Sequence, residues 1–448
     1  MMKPSQSACR PAFPWLLLAL LVLLVPASPA AFAQALPAAE AAPISTGFAL
    51  PTTLGTLQYA VSASQSLVWG YYGNSGVSAG TNLGGDLAYL SNSKQHPFSM
   101  ILAGGRSFSE SDQGSYNFAN LGLSQVANVG RWNFVLSDSV SYLPGTPVTG
   151  LSGIPGVGDL GVSPVQVGAD TGQGVLTNYS DRVTNVAAGS VQRQLTGKTA
   201  INASGSYYIM RFLDTTNTSA NASGAGLDSD AVTGGGGFSH ELSVRNTYGA
   251  NYAYSNYTYP ENNFGIFAPG FVSQTASGTY THRFTRRLSM SVAVGPQFTT
   301  VDNSGSPNAL SLFASAAASY AAKETSASVA FNRSTNSGYG SNGGALSSSV
   351  GFSISRKFAV VWNCSGSASY TNSSNLPVAG VPSYSSNTYV EGIQVSRAIA
   401  RSLSAFASYT LEDQSFSAAS AIDLFSGLSQ VVGLGITYSP SALHLGRQ

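Results

Sequence analysis

FVSQTASGTYTHRFTRRLSMSVAVGPQFTTV, residues 271–301, reads as a single hairpin. In its first arm Ser273, Thr275, Ser277, Thr279 and Thr281 share one face, and Val272, Ala276, Gly278 and Tyr280 share the other. In its second arm Leu288, Met290, Val292 and Val294 stand opposite Ser289, Ser291, Ala293 and Gly295. A period of two with one polar and one apolar face is the pattern of a half-buried strand. The charges collect between the arms, in "RFTRR", where the chain must turn.

The same alternation recurs along the chain. Phe98, Met100 and Leu102 form one face of 98–103, Trp132, Phe134 and Leu136 one face of 131–137, and Val432, Leu434, Ile436 and Tyr438 one face of the last segment. Basic residues recur in the short connections, at Lys94, Arg131, Lys198, Arg245, Arg286, Lys323, Lys357 and Arg401. The longer connections collect acids, among them Glu110, Asp112, Asp159, Asp170, Asp214, Asp228, Asp230, Glu261, Asp302 and Asp423. Two populations of connection imply an object with two different ends. Strands are expected at 57–69, 78–90, 98–108, 115–127, 131–142, 181–195, 199–213, 231–243, 246–259, 271–283, 287–301, 309–322, 325–335, 345–356, 358–370, 387–397, 401–414 and 425–438. That makes 18 strands, or 16 if a weak pair such as 57–90 is misread. Asp138 falls beside Leu136 and Val140 on the apolar face. The pattern therefore requires either a bulge near Ser137 or another register there.

Composition narrows what such strands can build. Of 448 residues only 9% are charged, 20 Lys and Arg against 19 Asp and Glu, while 43% are hydrophobic. Water-facing globular proteins carry about 25% charged residues, and disorder requires low hydrophobicity with high net charge. A net charge of +1 leaves no basic footprint for nucleic acid. At the N-terminus, Lys3 and Arg10 precede WLLLALLVLLV at 15–25 and an Ala31-Phe32-Ala33 site. A charged region, a short apolar run and a small-residue site make residues 1–33 a secretory signal peptide. Without Lys3 and Arg10 the mature chain carries 18 basic and 19 acidic residues and one thiol, Cys364. No later apolar run is long enough for a spanning helix, and a bilayer is otherwise crossed only by closed barrels.

Hairpins with basic short turns, long Gly/Asn/Ser loops and a final strand "SQVVGLGITYS" resemble outer-membrane β-barrel proteins of the porin-like kind, over essentially the whole mature chain. The expected organisation is a signal peptide at 1–33, a short periplasmic segment at 34–56, an all-β, antiparallel up-and-down transmembrane barrel at 57–438 and a C-terminal tail at 439–448. The resemblance implies bacterial outer-membrane lipid as surroundings and the barrel-assembly machinery as a partner, and homo-oligomers are common in that family. The chain departs from the pattern at its end, where ten residues follow Tyr438 and family members usually stop at an aromatic residue.

Apparent motifs for other chemistry lack their context. "GVGDLG" at 156–161 has the dinucleotide spacing, but Pro155 precedes it and no helix follows. "GVSAG" around Ser78 opens a strand where a nucleophile elbow needs a helix. "GKT" at 197–199 lacks the earlier glycine of a phosphate loop, since Gln192 stands there. His96, His240, His282 and His444 show no helical metal spacing. No catalytic residue, cofactor or metal ligand is therefore assigned.

Barrels of about 16–18 strands leave an aqueous channel. The inferred lumen-facing residues are Asn82, Asp86, Asn202, Ser204, Ser206, Ser273, Thr275, Ser277 and Thr279, a small, polar and mostly uncharged wall. Such a wall suits passive diffusion of small hydrophilic solutes. With Tyr208 and Tyr257 it also suits a polysaccharide export conduit, and a structural or adhesive barrel is the third reading. The connection 143–180 is the third external loop, the one that folds inward in general porins. The resemblance makes Asp159 and Asp170 pore-constriction candidates, and an external cap is the other reading of that loop.

Overall fold

The computed structural model describes residues 55–70, 76–93, 95–109, 115–143, 182–213, 227–260, 268–302, 305, 308–338, 343–359, 361–377, 383, 385–417, 427–441 and 443–445. They form β1 (Gly55–Trp69), β2 (Val77–Ser91), β3 (Phe98–Ser109), β4 (Tyr116–Val129), β5 (Trp132–Leu143), β6 (Arg182–Gln194), β7 (Thr199–Phe212), β8 (Ser229–Ser243), β9 (Asn246–Thr258) and β10 (Phe271–Arg283). The chain continues through β11 (Leu288–Val301), β12 (Ala309–Ala321), β13 (Thr325–Asn336), β14 (Ala345–Phe358), β15 (Trp362–Asn375), β16 (Ser385–Ala400), β17 (Leu403–Phe416), β18 (Gly427–Tyr438) and the three-residue β19 (Leu443–Leu445). Each strand from β1 to β17 pairs antiparallel with the next, and β1 pairs with both β2 and β18. The sheet is thus a closed, 18-stranded, up-and-down barrel.

The closing seam has one irregularity. Val61 lies opposite Tyr438, and after a one-residue offset Leu57 lies opposite Leu443 and Gly55 opposite Leu445. The segment expected as a tail therefore contributes β19, which extends pairing along the start of β1. An edge strand with unpaired N–H and C=O groups is a liability, and β19 covers the part of β1 that β18 does not reach.

Strand ends agree with the alternation to within two or three residues, with one larger departure. The fifteenth strand, expected at 358–370, occupies Trp362–Asn375, and β14 runs on through Phe358. Its turn lies in the apolar run "KFAVVW", which has no Gly, Pro, Asn or Ser to mark it. Ala359 takes φ 52° there, a left-handed conformation that L-residues rarely adopt. Lys357, expected in the turn, is accordingly inside β14 opposite Asn363, and Lys94 lies outside the described residues.

Three of the basic turns share a local device. The Thr196 hydroxyl accepts the N–H groups of Lys198 and Thr199 at 3.2 and 3.1 Å. Ser243 does the same for Arg245 and Asn246, and Thr285 for Arg287 and Leu288. A Ser or Thr two residues ahead of the basic side chain satisfies backbone donors that the ladder leaves free.

The two faces of the sheet differ in chemistry. One carries exposed apolar side chains: Val61, Leu67, Leu83, Leu102, Leu136, Val294, Phe298, Leu310, Leu312 and Leu434. The other brings together side chains from separate strands, which only the concave side of a closed sheet allows. On that inner face the Phe406 ring covers Gly435, where an added Cβ would collide with the ring and would lie 2.6 Å from Ser64 Cβ. Phe118 covers Gly105 in the same way. Both rings are buried. A large ring over a glycine fills the space that a missing side chain would leave open.

Asp138 remains on the outer face between Leu136 and Val140. The register of β5 against β4 and β6 is uninterrupted there, so neither a bulge nor a shifted pairing occurs. The carboxylate instead accepts a hydrogen bond from Asn185 Nδ2 at 2.7 Å.

Two outcomes test this fold. In a Cys364→Ser background, single cysteines across 274–281 should react with a charged thiol reagent at 275, 277, 279 and 281 and resist it at 274, 276, 278 and 280. Uniform labelling would break the register. Gly435→Val should abolish the heat-shifted gel mobility of the folded barrel, because overpacking costs about 1–3 kcal/mol or more and here the backbone of the closing strand must move.

Candidate channel interior

Asn82, Asp86, Asn202, Ser204, Ser206, Ser273, Thr275, Ser277 and Thr279 all occupy inner-face positions in the register. The structure distributes them unevenly. Asn202 and Ser204 are exposed and Ser206, Thr275, Ser277 and Thr279 half-buried, whereas Asn82, Asp86 and Ser273 are buried. Tyr208 and Tyr257 also lie on this face, Tyr257 buried and Tyr208 half-buried.

Several strands show the same gradient along their length. On β7 the inner face runs from exposed Asn202 near the basic turn to buried Met210 and Phe212 at the other end. On β16 it runs from half-buried Gln394 to buried Thr388 and Ser386, and on β10 from half-buried Thr279 to Phe271, which is 0% exposed. On these strands the inner face is most buried toward the long connections, whereas on β2 and β18 the inner-face Ala88 and Thr437 are equally buried toward the basic turns.

Gln297 on β11 ties that end together. Its Nε2 donates to Ser273 Oγ on β10 at 2.9 Å, and its Oε1 accepts from Ser311 on β12 at 3.3 Å and from both Thr335 N and Thr335 Oγ1 on β13 at 3.2 Å. The last contact is diagnostic. Thr335 has the outer-face parity of β13, yet it meets an inner-face residue two strands away. Pairing of β12 with β13 stops at Ala314 and Arg333, although β12 pairs with β11 as far as Ala309. The ends of β13 and β14 therefore tuck inside the wall, against the inner faces of β11 and β12.

The tucked segment is held by a small apolar core. Phe271 stacks on Tyr257 with ring centroids 4.4 Å apart, and Leu227, Ala231, Tyr259 and Leu376 complete the cluster. Gly344, at φ 99°, lets the backbone pass against these side chains: an added Cβ there would lie 2.6 Å from the Phe271 ring and 2.7 Å from Leu376. The Tyr259 hydroxyl donates to the Ser337 carbonyl at 2.9 Å, and Leu376 N–H donates to the Gly344 carbonyl at 3.2 Å. Burying a side chain such as Phe or Leu contributes about 1.5–3 kcal/mol, and each neutral hydrogen bond about 1 kcal/mol net. The apolar contacts dominate the docking.

None of these holding residues belongs to the expected constriction. Asp159 and Asp170 lie outside the described residues. One sequence signal does mark the tucked segment: Phe271 is a large apolar residue on the face otherwise made of Ser273, Thr275, Ser277 and Thr279. Phe118 breaks the Asn120, Gly122, Ser124 face of β4 in the same way.

At the same end Arg211 pairs with Asp230 at 2.8 Å and lies 3.9 Å from Asp228. Burial pushes the Asp228 carboxyl up, while the Phe212 N–H at 3.0 Å and Arg211 oppose that shift. The histidines sit near the opposite end, His240 beside Thr199 Oγ1 at 2.8 Å and His282 beside Asn246 Oδ1 at 2.7 Å. Both are on the outer face, and neither is joined to a serine nucleophile by these contacts.

No family model and no curated protein matches this chain. Among solved structures, it is similar to Pseudomonas aeruginosa OccK2 (OpdF) in complex with glucuronate, at 10% identity and TM-score 0.42 over 86% of this chain and 98% of that one. It is also similar to Pseudomonas aeruginosa OccK7 (OpdD), at 10% identity and TM-score 0.41 over 87% and 99%. A third similar structure is Pseudomonas aeruginosa OpdK with vanillate, at 10% identity and TM-score 0.41 over 86% and 99%. The ladder and its two faces make this chain a porin-like closed β-barrel.

Phe271→Ala should release the tucked segment, since losing a buried Phe costs about 3–5 kcal/mol. Single-channel conductance should rise and become noisier. Unchanged conductance would place the narrowest point elsewhere.

Proposed function

We propose that this protein is an outer-membrane channel for passive diffusion of small hydrophilic solutes, narrowed at its external mouth by the tucked ends of β13 and β14. The contrast between the two faces of the closed sheet carries this reading. An outer face of exposed Leu, Val, Phe and Tyr would aggregate in water, and it is the face that lipid demands. The inner face is mostly Ser, Thr, Asn and Gly between a few large side chains such as Phe118, Phe271 and Phe406, and 18 strands enclose more space than these fill.

The mid-depth wall has few charges, so neutral solutes are the natural cargo and charge selection is weak. On this reading residues 1–33 direct export, the segment from 34 to the start of β1 at Gly55 remains on the periplasmic side, and the assembly machinery inserts the barrel into outer-membrane lipid.

Purified mature protein in a planar bilayer should give discrete current steps of stable size, with a reversal potential near zero in a salt gradient. Liposomes containing it should swell in neutral sugars. Correctly inserted protein that passes no current would overturn the open channel and favour an export conduit or a structural barrel.

A further inference from the structure

Two of the three tryptophans of the mature chain occupy the same unusual position. Trp132 is the first residue of β5, and Trp362 the first of β15, each immediately after a basic-end turn. Directly opposite Trp132 on β6 stands Arg193, its guanidinium carbon 4.9 Å from the indole centroid. Directly opposite Trp362 on β16 stands Arg397, at 5.1 Å. A second aromatic extends each pair. Phe134 stacks on Trp132 at 6.0 Å and 16°, and Phe358 lies opposite Trp362 with Arg356 over its ring at 4.9 Å. All of these side chains are on the outer face, and the indoles are 40% and 41% exposed.

The two guanidiniums have no acidic partner among the described residues. Among the described residues the salt bridges are those of Arg211 with Asp228 and Asp230, and neither Arg193 nor Arg397 takes part in one. A guanidinium laid on a ring keeps its edge N–H donors free, and that edge matches two oxygens of a phosphate. Indole at a membrane interface sits at headgroup level. The adjoining Phe134 and Phe358 offer apolar surface to the first carbons of an acyl chain.

We propose that Arg193–Trp132 and Arg397–Trp362 are two binding sites for the phosphodiester headgroup of an anionic glycerophospholipid in the periplasmic leaflet. The sites lie ten strands apart on an 18-strand circumference, so they anchor nearly opposite sides of the same rim. This inference rests on the membrane-barrel reading. It adds the level at which the barrel is fixed and the lipid charge that fixes it.

The test uses mature protein reconstituted in nanodiscs with equal phosphatidylglycerol and phosphatidylcholine. Brominated phosphatidylglycerol should quench tryptophan fluorescence more than brominated phosphatidylcholine does. After release into detergent, native mass spectrometry should retain phosphatidylglycerol preferentially. Arg193→Gln and Arg397→Gln should each lower that retention about fivefold, the value of about 1 kcal/mol per basic residue near a charged surface, and Arg→Lys at either site should restore part of it. Equal quenching by the two lipids in a barrel that still conducts would overturn the sites and leave the channel intact. Quenching by neither lipid would overturn the sites together with the membrane reading.

Discussion

Backbone hydrogen bonding in lipid is the constraint on which the rest depends. A peptide group in hydrocarbon has no water to turn to, and each unsatisfied one costs several kcal/mol. The pairing of β1 with β18 removes the two edges that an 18-stranded sheet would otherwise expose. Closure also explains β19. The start of β1 extends past the end of β18, and Leu443–Leu445 pairs with it after a one-residue offset. Once the ladder is closed, side chains are free of structural duty in the spanning region except to suit the medium on each side.

That freedom shows in what each face tolerates. The inner face accepts so many small residues that aromatic rings from neighbouring strands, Phe406 over Gly435 and Phe118 over Gly105, take up the space. The outer face tolerates isolated polar groups when a neighbour supplies a hydrogen bond. Asp138, the sixth residue beyond Trp132, is bonded by Asn185, and Glu391 accepts a hydrogen bond from the Tyr389 hydroxyl. Asp and Glu cost less at this depth than the roughly 2–4 kcal/mol of Arg or Lys. A donor within reach offsets part of that cost, so the alternation need not be perfect for the register to hold.

The strands were legible because period two, turn residues and two classes of connection all point the same way. The failure at β15 is instructive for that reason: "KFAVVW" continues the alternation through a turn, and only the backbone of Ala359 shows the reversal. Parity likewise groups Asn202, Ser204 and Thr275 with the face opposite the exposed apolar side chains. The constriction was not legible. Gln297, Thr335 and Tyr259 are ordinary polar residues whose contacts join β10, β11, β12 and β13 and the residues just past β9 and β13, and nothing local in the sequence encodes a strand end moving inside the wall.

The place where that happens follows from the first constraint. β13 parts from β12 beyond Arg333, the ninth residue from the start of its strand, and Arg333 points outward with its guanidinium on Ser348 Oγ at 3.0 Å. Arg106, also outward, is the ninth residue of β3 and lies over Phe108 at 5.1 Å. A transmembrane strand needs about 9–11 residues, so two arginines mark the upper edge of the hydrocarbon at the same count. Below that level a broken ladder would expose backbone to lipid. Above it, water and side chains can take the freed groups, as Gln297 Oε1 takes the Thr335 N–H. A wall-derived narrowing is therefore confined to the levels beyond the spanning ladder, and the tucked ends of β13 and β14 sit at the first level where the barrel can open its own ladder.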